Sequence, residues 1–386
     1  MPVQTANFYH INHSPYSVKT IGMLGGGQLG LMLAAAALPL GIRTVFLEDA
    51  PNSPARLLGK VYSSEQFDDF AASCDIFTLE FENTPLKSAQ YLQDSKNLYP
   101  PANALYIAQD RLNEKNLFNE LGIKTVPFMA VNSKADIETA AQQMGLPLVL
   151  KTTRGGYDGK GQFVVKTAEQ FDEAWAELGE ATKHAPLIAE GFINFLREVS
   201  IIAVRGQNGE IRYYPLVQNE HHQGILARTT VPAPNSDNLT EQAQDNIKKL
   251  LEHLNYVGVL TLELFVTPDG LLANEIAPRV HNSGHWSIEG AVCSQFENHM
   301  RAVAGLPLGD TSVVKPSVML NVIGQYPDLA QVLAVDGVHV HNYDKEEREG
   351  RKIGHITVMP TDSRQLEATV AKVVALLPNK LGMGAE

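Results

Sequence analysis

The chain has 386 residues, 44% of them hydrophobic, and a formal net charge of −12. That is enough apolar material for two or three domains with their own cores, and the acidic balance excludes a general nucleic-acid binder. The two cysteines, Cys74 and Cys293, lie far apart in apolar surroundings, which excludes a disulfide framework or a cysteine zinc site and fits a reducing cytosol.

Residues 1–17 are polar and have no h-region, so they read as a disordered leader rather than a signal peptide. No apolar run reaches membrane-spanning length; the longest, Leu29 to Leu40, is short and contains Pro39. Ile21–Leu24 reads as a strand, followed by Gly25-Gly26-Gly27-Gln28-Leu29-Gly30, an alanine-rich helix to about Leu38 and a second strand over Arg43–Leu47. This is the βαβ signature of a doubly wound sheet. A further buried strand, Asp75–Leu79, closes at Glu80 and Glu82. Helices are predicted over Arg111–Leu121 and Lys134–Met144, then a strand over Leu148–Lys151. The glycine-rich run Arg154–Gln162 follows, with short strands near Phe163–Val165, Leu187–Ala189 and Val199–Ile202. A polar helix over 240–255 precedes an acidic hairpin. The chain turns linker-like at Gly305–Lys315, and the tail has short strands and a final helix near Leu366–Leu376.

The hairpin carries the strongest chemical signal. Glu263, in Thr261-Leu262-Glu263-Leu264-Phe265, and Glu275, in Leu272-Ala273-Asn274-Glu275-Ile276, each interrupt a run that otherwise reads as a buried strand. Thr267-Pro268-Asp269-Gly270 joins the two runs. Two carboxylates facing the same side of adjacent strands suit Mg²⁺, which takes one or two protein carboxylates and completes its shell with phosphates and water. Arg279, His281 and His285 follow in an anion-binding loop.

The Gly25–Gly30 loop fits a dinucleotide, with Glu48 as a ribose acceptor, but equally any phosphate at a helix N-terminus. The second glycine loop, Tyr157–Gln162, does not end in Gly-Lys-Ser/Thr and reads as a flap over phosphates, with Lys151 as a phosphate-binding charge. His221, His222, His281 and His285 match no compact zinc spacing.

Taken together, Gly-Gly-Gln-Leu-Gly, Gly-Gly-Tyr-Asp-Gly-Lys-Gly-Gln and Asn-Glu-Ile-Ala-Pro-Arg-Val-His-Asn-Ser-Gly-His resemble the N5-carboxyaminoimidazole ribonucleotide synthase family of ATP-grasp ligases. Tyr343-Asp344-Lys345 and Gly350-Arg351-Lys352-Ile353-Gly354-His355 fit as well, so the resemblance covers about residues 18–380. It implies a mixed α/β and α+β ATP-grasp fold. A doubly wound N-terminal domain would span 18–115 and a central ATP-grasp domain 116–308, with a lid lobe at about 150–205. A small β-rich C-terminal domain would span 309–386.

The implied activity is ATP-dependent carboxylation of 5-aminoimidazole ribonucleotide by bicarbonate, through carboxyphosphate, in purine synthesis. Tyr157, Asp158, Lys160, Arg279 and His281 would be catalytic. ATP would meet Arg111, Lys151, the loop Gly156, Tyr157, Asp158, Gly159, Lys160, Gly161 and Gln162, the adenine segment Glu190, Gly191, Phe192 and Ile193, and Glu198, His221, Asn274 and Glu275. Gln28, Leu29, Glu82, Lys345, Arg351 and Lys352 would bind the ribonucleotide. Glu263 and Glu275 would hold two Mg²⁺ ions, with Mn²⁺ as a substitute. A cytoplasmic homodimer, functionally coupled to the N5-carboxyaminoimidazole ribonucleotide mutase and without nucleic-acid or membrane partners, is implied too. The alternatives weighed are another ATP-grasp ligase, such as the formate-dependent glycinamide ribonucleotide transformylase, a nicotinamide-dependent oxidoreductase, and a non-catalytic nucleotide sensor.

Overall fold

The computed structural model describes residues 19–155 and 161–379. The leader 1–17 and the loop residues Gly156, Tyr157, Asp158, Gly159 and Lys160 therefore lie outside the described residues.

The first unit is a four-stranded parallel sheet in the order Lys60–Tyr62, Arg43–Leu47, Thr20–Leu24, Ile76–Leu79. Helical segments connect its strands, as parallel pairing requires. Between Thr20–Leu24 and the helix Gln28–Ala37, Gly25 takes φ +103°, and a Cβ there would stand 2.5 Å from Glu80 Oε1. Only glycine allows both the left-handed turn and that approach. The helix buries Leu29, Met32, Leu33 and Ala37 in a core shared with Phe296 and Met300 of the helix Gln295–Ala304. This packing fixes the glycine loop against the rest of the molecule.

A second four-stranded sheet, antiparallel, has the order Phe128–Val131, Leu187–Gly191, Leu148–Thr152, Gln162–Val165. It corrects the expected lid lobe of 150–205. The lobe begins at Phe128, because that strand pairs with Leu187–Gly191. It ends at Gly191, because Arg197–Arg205 joins the large sheet instead.

The large sheet has nine strands. Its path is Gly270–Ala277, Gly258–Thr267, Arg197–Arg205, Val217–His222, Ile225–Val231, Ser317–Ile323, Lys352–Val358, Val338–Asn342, with Ile211–Tyr213 beside Arg197–Arg205. The pairing Val231↔Ser317 carries it across the linker-like stretch, so the tail strands extend the central sheet rather than forming a sheet of their own.

Helix Asp237–His253 presents Leu239, Ala243, Ile247, Leu250 and Leu251 at helical spacing to Leu260, Leu262 and Leu264 of the hairpin strand. Each buried leucine contributes roughly 2 kcal/mol. The opposite side of that anchored strand turns Glu263 and Phe265 into a cleft. Among the described residues no helix is long and apolar enough to cross a membrane.

Candidate functional site

Two cavities meet in the middle of the molecule. The first, about 530 Å³, lies between the small and large sheets, and the second, about 990 Å³, lies between the glycine loop and the C-terminal strands. Glu82, Asn83, Gly155, Arg279, His281, Asn282 and Lys352 border both.

The acid pair lines the first cavity. Pro268 and Asp269 make the turn, which sets Thr267 opposite Gly270 and, across a bulge after Glu263, Glu263 opposite Glu275. Burial pushes the Glu275 carboxyl up, and the neighbouring Glu263 charge adds to it. Burial would also raise Glu263, but the hydrogen bond and charge of His281 outweigh it and hold that carboxyl down. His281 Nε2 lies 2.9 Å from Glu263 Oε1. Two facing buried carboxylates, one of them pushed toward its neutral form by the other, are a donor set that a divalent cation would satisfy.

Arg111, Lys151, Gln162, Glu198, His221 and Asn274 line the same cavity. Lys151 Nζ is 2.5 Å from Glu190 Oε2. The other Glu190 oxygen is 3.4 Å from the fully buried Lys115, whose Nζ also donates to the Asn274 carbonyl at 2.8 Å. Burial opposes ionisation of Glu190, but the two lysines lower its pKa on balance. Glu190, Gly191, Phe192 and Ile193 lie outside the walls of both cavities. The N–H groups of Gly191 and Phe192 already donate to the carbonyls of Pro127 and Pro147. Glu198 Oε2 stands 3.0 Å from His221 Nδ1 without hydrogen-bond alignment. Burial lowers the His221 pKa, but Glu198 and Glu263 outweigh it and raise it. Spatially, Glu198, His221 and Glu263 bring ligand atoms within 4.8 Å of one another, a grouping invisible in their sequence spacing.

At the border, Arg279 grips Glu82 with two nitrogens, Nε to Oε2 and, at 2.8 Å, Nη2 to Oε1. Burial opposes this carboxylate, yet Arg279 holds it down to about 2.

The second cavity is lined by Gln28, Leu29, Lys345, Arg351 and Lys352. The glycine loop is partly committed internally: Gly26 N–H donates to Glu48 at 3.1 Å, and Gly27 and Gly30 N–H donate to Glu80 at 3.0 and 3.2 Å. Glu48 also accepts from Ala50 N–H, so it braces the loop and is not the ribose acceptor the dinucleotide reading required. Gln28 and Leu29, in the first turn of the helix Gln28–Ala37, line this cavity. Burial, then Arg351, lowers Lys345 to about 8. His285 is almost wholly buried beside Phe296, and burial drives its pKa well down, so it serves as a neutral core ring.

Sequence reading missed Glu114, Lys115 and Glu80 as site components and gave Glu48 a different role. Glu114 Oε1 accepts from Ile276 N–H at 2.6 Å; burial and Glu275 raise its pKa. The one available signal was the Arg111–Glu114 spacing on a helix that opens at the cavity. The stacked pair Phe195 and Phe265, 4.6 Å apart, forms an apolar patch in the first cavity that was not anticipated.

Comparison with known proteins agrees with this architecture. Residues 18–109 match the ribonucleotide synthetase preATP-grasp domain, 116–296 the ATP-grasp domain, and 317–369 the phosphoribosylaminoimidazole carboxylase C-terminal domain. The chain is 49% identical over 362 residues to the N5-carboxyaminoimidazole ribonucleotide synthase of Pseudomonas aeruginosa, covering 92% of this chain and 99% of that one. The crystal structure of the Thermus thermophilus N5-carboxyaminoimidazole ribonucleotide synthetase superposes with a TM-score of 0.88 at 46% identity, over 93% of this chain and 99% of that one. The Aspergillus clavatus synthase in complex with ADP and 5-aminoimidazole ribonucleotide gives 0.85 at 32% identity, over 93% and 98%.

Proposed function

The chain belongs to the N5-carboxyaminoimidazole ribonucleotide synthase family of ATP-grasp ligases, and from that premise we propose how its two cavities divide the work. The activity is ATP-dependent carboxylation of 5-aminoimidazole ribonucleotide in purine biosynthesis. In our reading the first cavity takes ATP and the second the ribonucleotide. The observation that carries this is their shared border at Arg279 and His281, between the acid pair and the helix N-terminus.

Arg111 and Lys151 bind phosphates, the Phe195–Phe265 patch offers the base an apolar face, and Glu198 takes ribose hydroxyls. Glu263 and Glu275, with Asn274 beside them, hold Mg²⁺, which neutralises phosphate charge when bound. A bicarbonate oxygen attacks the γ-phosphorus, ADP leaves, and carboxyphosphate forms. The exocyclic amine of the ribonucleotide then attacks the carboxyl carbon, and phosphate departs, taking up the proton that the amine loses. Arg279 and His281 supply donors where negative charge develops. Gln28 and Leu29 backbone, Lys345, Arg351 and Lys352 hold the ribonucleotide, beside Glu82. Tyr157, Asp158 and Lys160 belong to the same reading as loop residues that close over the reactants, with Gly156, Gly159, Gly161 and Gln162. The adenine segment Glu190–Ile193 enters when the small lobe closes on the nucleotide. The division of the chain near 115 and 308, a cytoplasmic homodimer and product transfer to the mutase complete the proposal.

The test is phosphate release from MgATP and bicarbonate with and without fresh 5-aminoimidazole ribonucleotide. Strong stimulation by the ribonucleotide supports the two-cavity reading. Equal rates in a folded, ATP-binding protein would refute the acceptor assignment.

A further inference from the structure

Behind His281 lies a row of buried polar side chains that the reaction as described does not use. Thr229, Asn219 and Ser200 sit on neighbouring strands of the large sheet, where pairing sets Thr229 opposite Asn219, and Ser200 opposite Glu263, while Ser283 lies in the short turn Asn282–Gly284. Thr229, Ser200 and Ser283 are fully buried and Asn219 is 5% exposed. Burying this much polarity in an otherwise apolar sheet is costly unless every group is paired, and here the pairing forms one chain. Thr229 Oγ1 donates to Asn219 Oδ1 at 3.0 Å, and Asn219 Nδ2 donates to Ser200 Oγ at 3.0 Å. Ser200 Oγ and Ser283 Oγ are 2.8 Å apart, and Ser283 Oγ is 2.8 Å from His281 Nδ1.

The two ends of the chain set its direction. Asn219 donates into Ser200, so the Ser200 proton has Ser283 Oγ as its acceptor. At the other end Ser283 backbone N–H, which can only donate, points at His281 Nδ1 at 3.3 Å. Nδ1 is therefore an acceptor, the Ser283 hydroxyl donates to it as well, and the ring proton resides on Nε2. Nε2 itself stands 2.9 Å from Glu263 Oε1.

We propose that Thr229, Asn219, Ser200 and Ser283 are positioning residues. They form a one-directional hydrogen-bond relay that locks His281 as its Nε2–H tautomer. The locked ring commits one oxygen of Glu263 and leaves the other for a cation. The relay thus acts on the reaction through His281 and Glu263, touching none of the three substrates. Its effect on rate rests on the reading of Glu263 as a cation ligand; its effect on the tautomer does not.

The first readout is the imidazole ¹⁵N–¹H correlation spectrum of the metal-free full chain at about pH 8, above the usual imidazole range, with His281 assigned by its loss in His281→Asn. The expected wild-type pattern has a proton on Nε2 and none on Nδ1. In Ser200→Ala the Ser283 hydroxyl loses its directing donor. The Ser283 backbone N–H still keeps the proton on Nε2, so the Nδ1 ¹⁵N resonance should move toward that of an unbonded imine nitrogen, with kcat down about tenfold and KM for ATP within about twofold, the usual scale for a partner behind a metal ligand. A proton on Nδ1 in the wild type overturns the proposal without any variant having to fold. So does a folded Ser200→Ala with unchanged spectrum and unchanged kcat. If turnover survives loss of Glu275, the cation reading fails, while the tautomer spectrum stands on its own.

Discussion

The two cavities handle charge in opposite ways. In the first, buried side chains confront one another: Glu114, Glu263 and Glu275 on one side, Lys115 and Lys151 around Glu190 on the other. In the second, two carboxylates, Glu48 and Glu80, occupy the backbone N–H groups of the glycine loop, and the positive charge comes from the tail residues Lys345, Arg351 and Lys352. On the proposed reading, the first cavity is electrostatically unfinished until a cation and a polyphosphate enter it. The second is already braced and needs a single anion. A rigid acid pair suits a site that must hold metal and phosphates in register; a backbone N-terminus with basic side chains suits recognition of one phosphate.

The sharpest break of this comparison is Glu275→Ala. Removing half of the acid pair should lower ribonucleotide-dependent phosphate release by about three orders of magnitude, because a bound metal supplies several kcal/mol of charge stabilisation. Near-normal release would mean that the pair does not hold the metal. Next comes the border. Arg279→Ala strands the half-buried Glu82 carboxylate, and denaturant unfolding should show a loss of about 3 kcal/mol; an unchanged midpoint would make the pair a surface contact.

Acid sharpens the same point. Arg279 holds Glu82 at about 2, below its ordinary value. A depressed carboxylate contributes stability above its unfolded pKa and loses it as pH falls. Roughly 2 kcal/mol should therefore disappear between about pH 4.5 and 2 in the wild type, and the Arg279→Ala protein should lack that component.

The second cavity yields the smallest effects. Lys345→Ala should raise KM for the ribonucleotide about tenfold and leave KM for ATP within about twofold, since one phosphate-binding charge is lost. Equal losses for both substrates would erase the distinction between the cavities. Because Lys345 titrates near 8, its charge is present below that pH and lost above it. Ribonucleotide KM should rise a few-fold between about pH 7 and 9, and this rise should vanish in Lys345→Ala.

The acid pair was legible in the sequence because each glutamate breaks an apolar strand pattern, and a two-residue turn fixes which residues face one another. The βαβ start was legible for the same local reason. Glu114 and Lys115 were not: they lie on an ordinary polar helix, and only its packing against Asn274 and Ile276 buries them. The lobe boundaries were misplaced because Arg197–Arg205 is as apolar as the strands before it, and sheet membership is a matter of partners, not of composition.

The sequence by itself therefore determined the doubly wound start and the acidic hairpin, since these depend on periodicity and short-range turn chemistry, while its motif runs carried the family resemblance. Only the tertiary structure decided which long-range charges meet. Glu82 reaches Arg279 across 197 residues, Thr78 reaches His299 across 221, and the tail strands join the central sheet through Val231 and Ser317. Nothing local encodes such pairs. They form because packing the apolar faces of helices and sheets brings distant polar groups together, and once buried those groups must find partners.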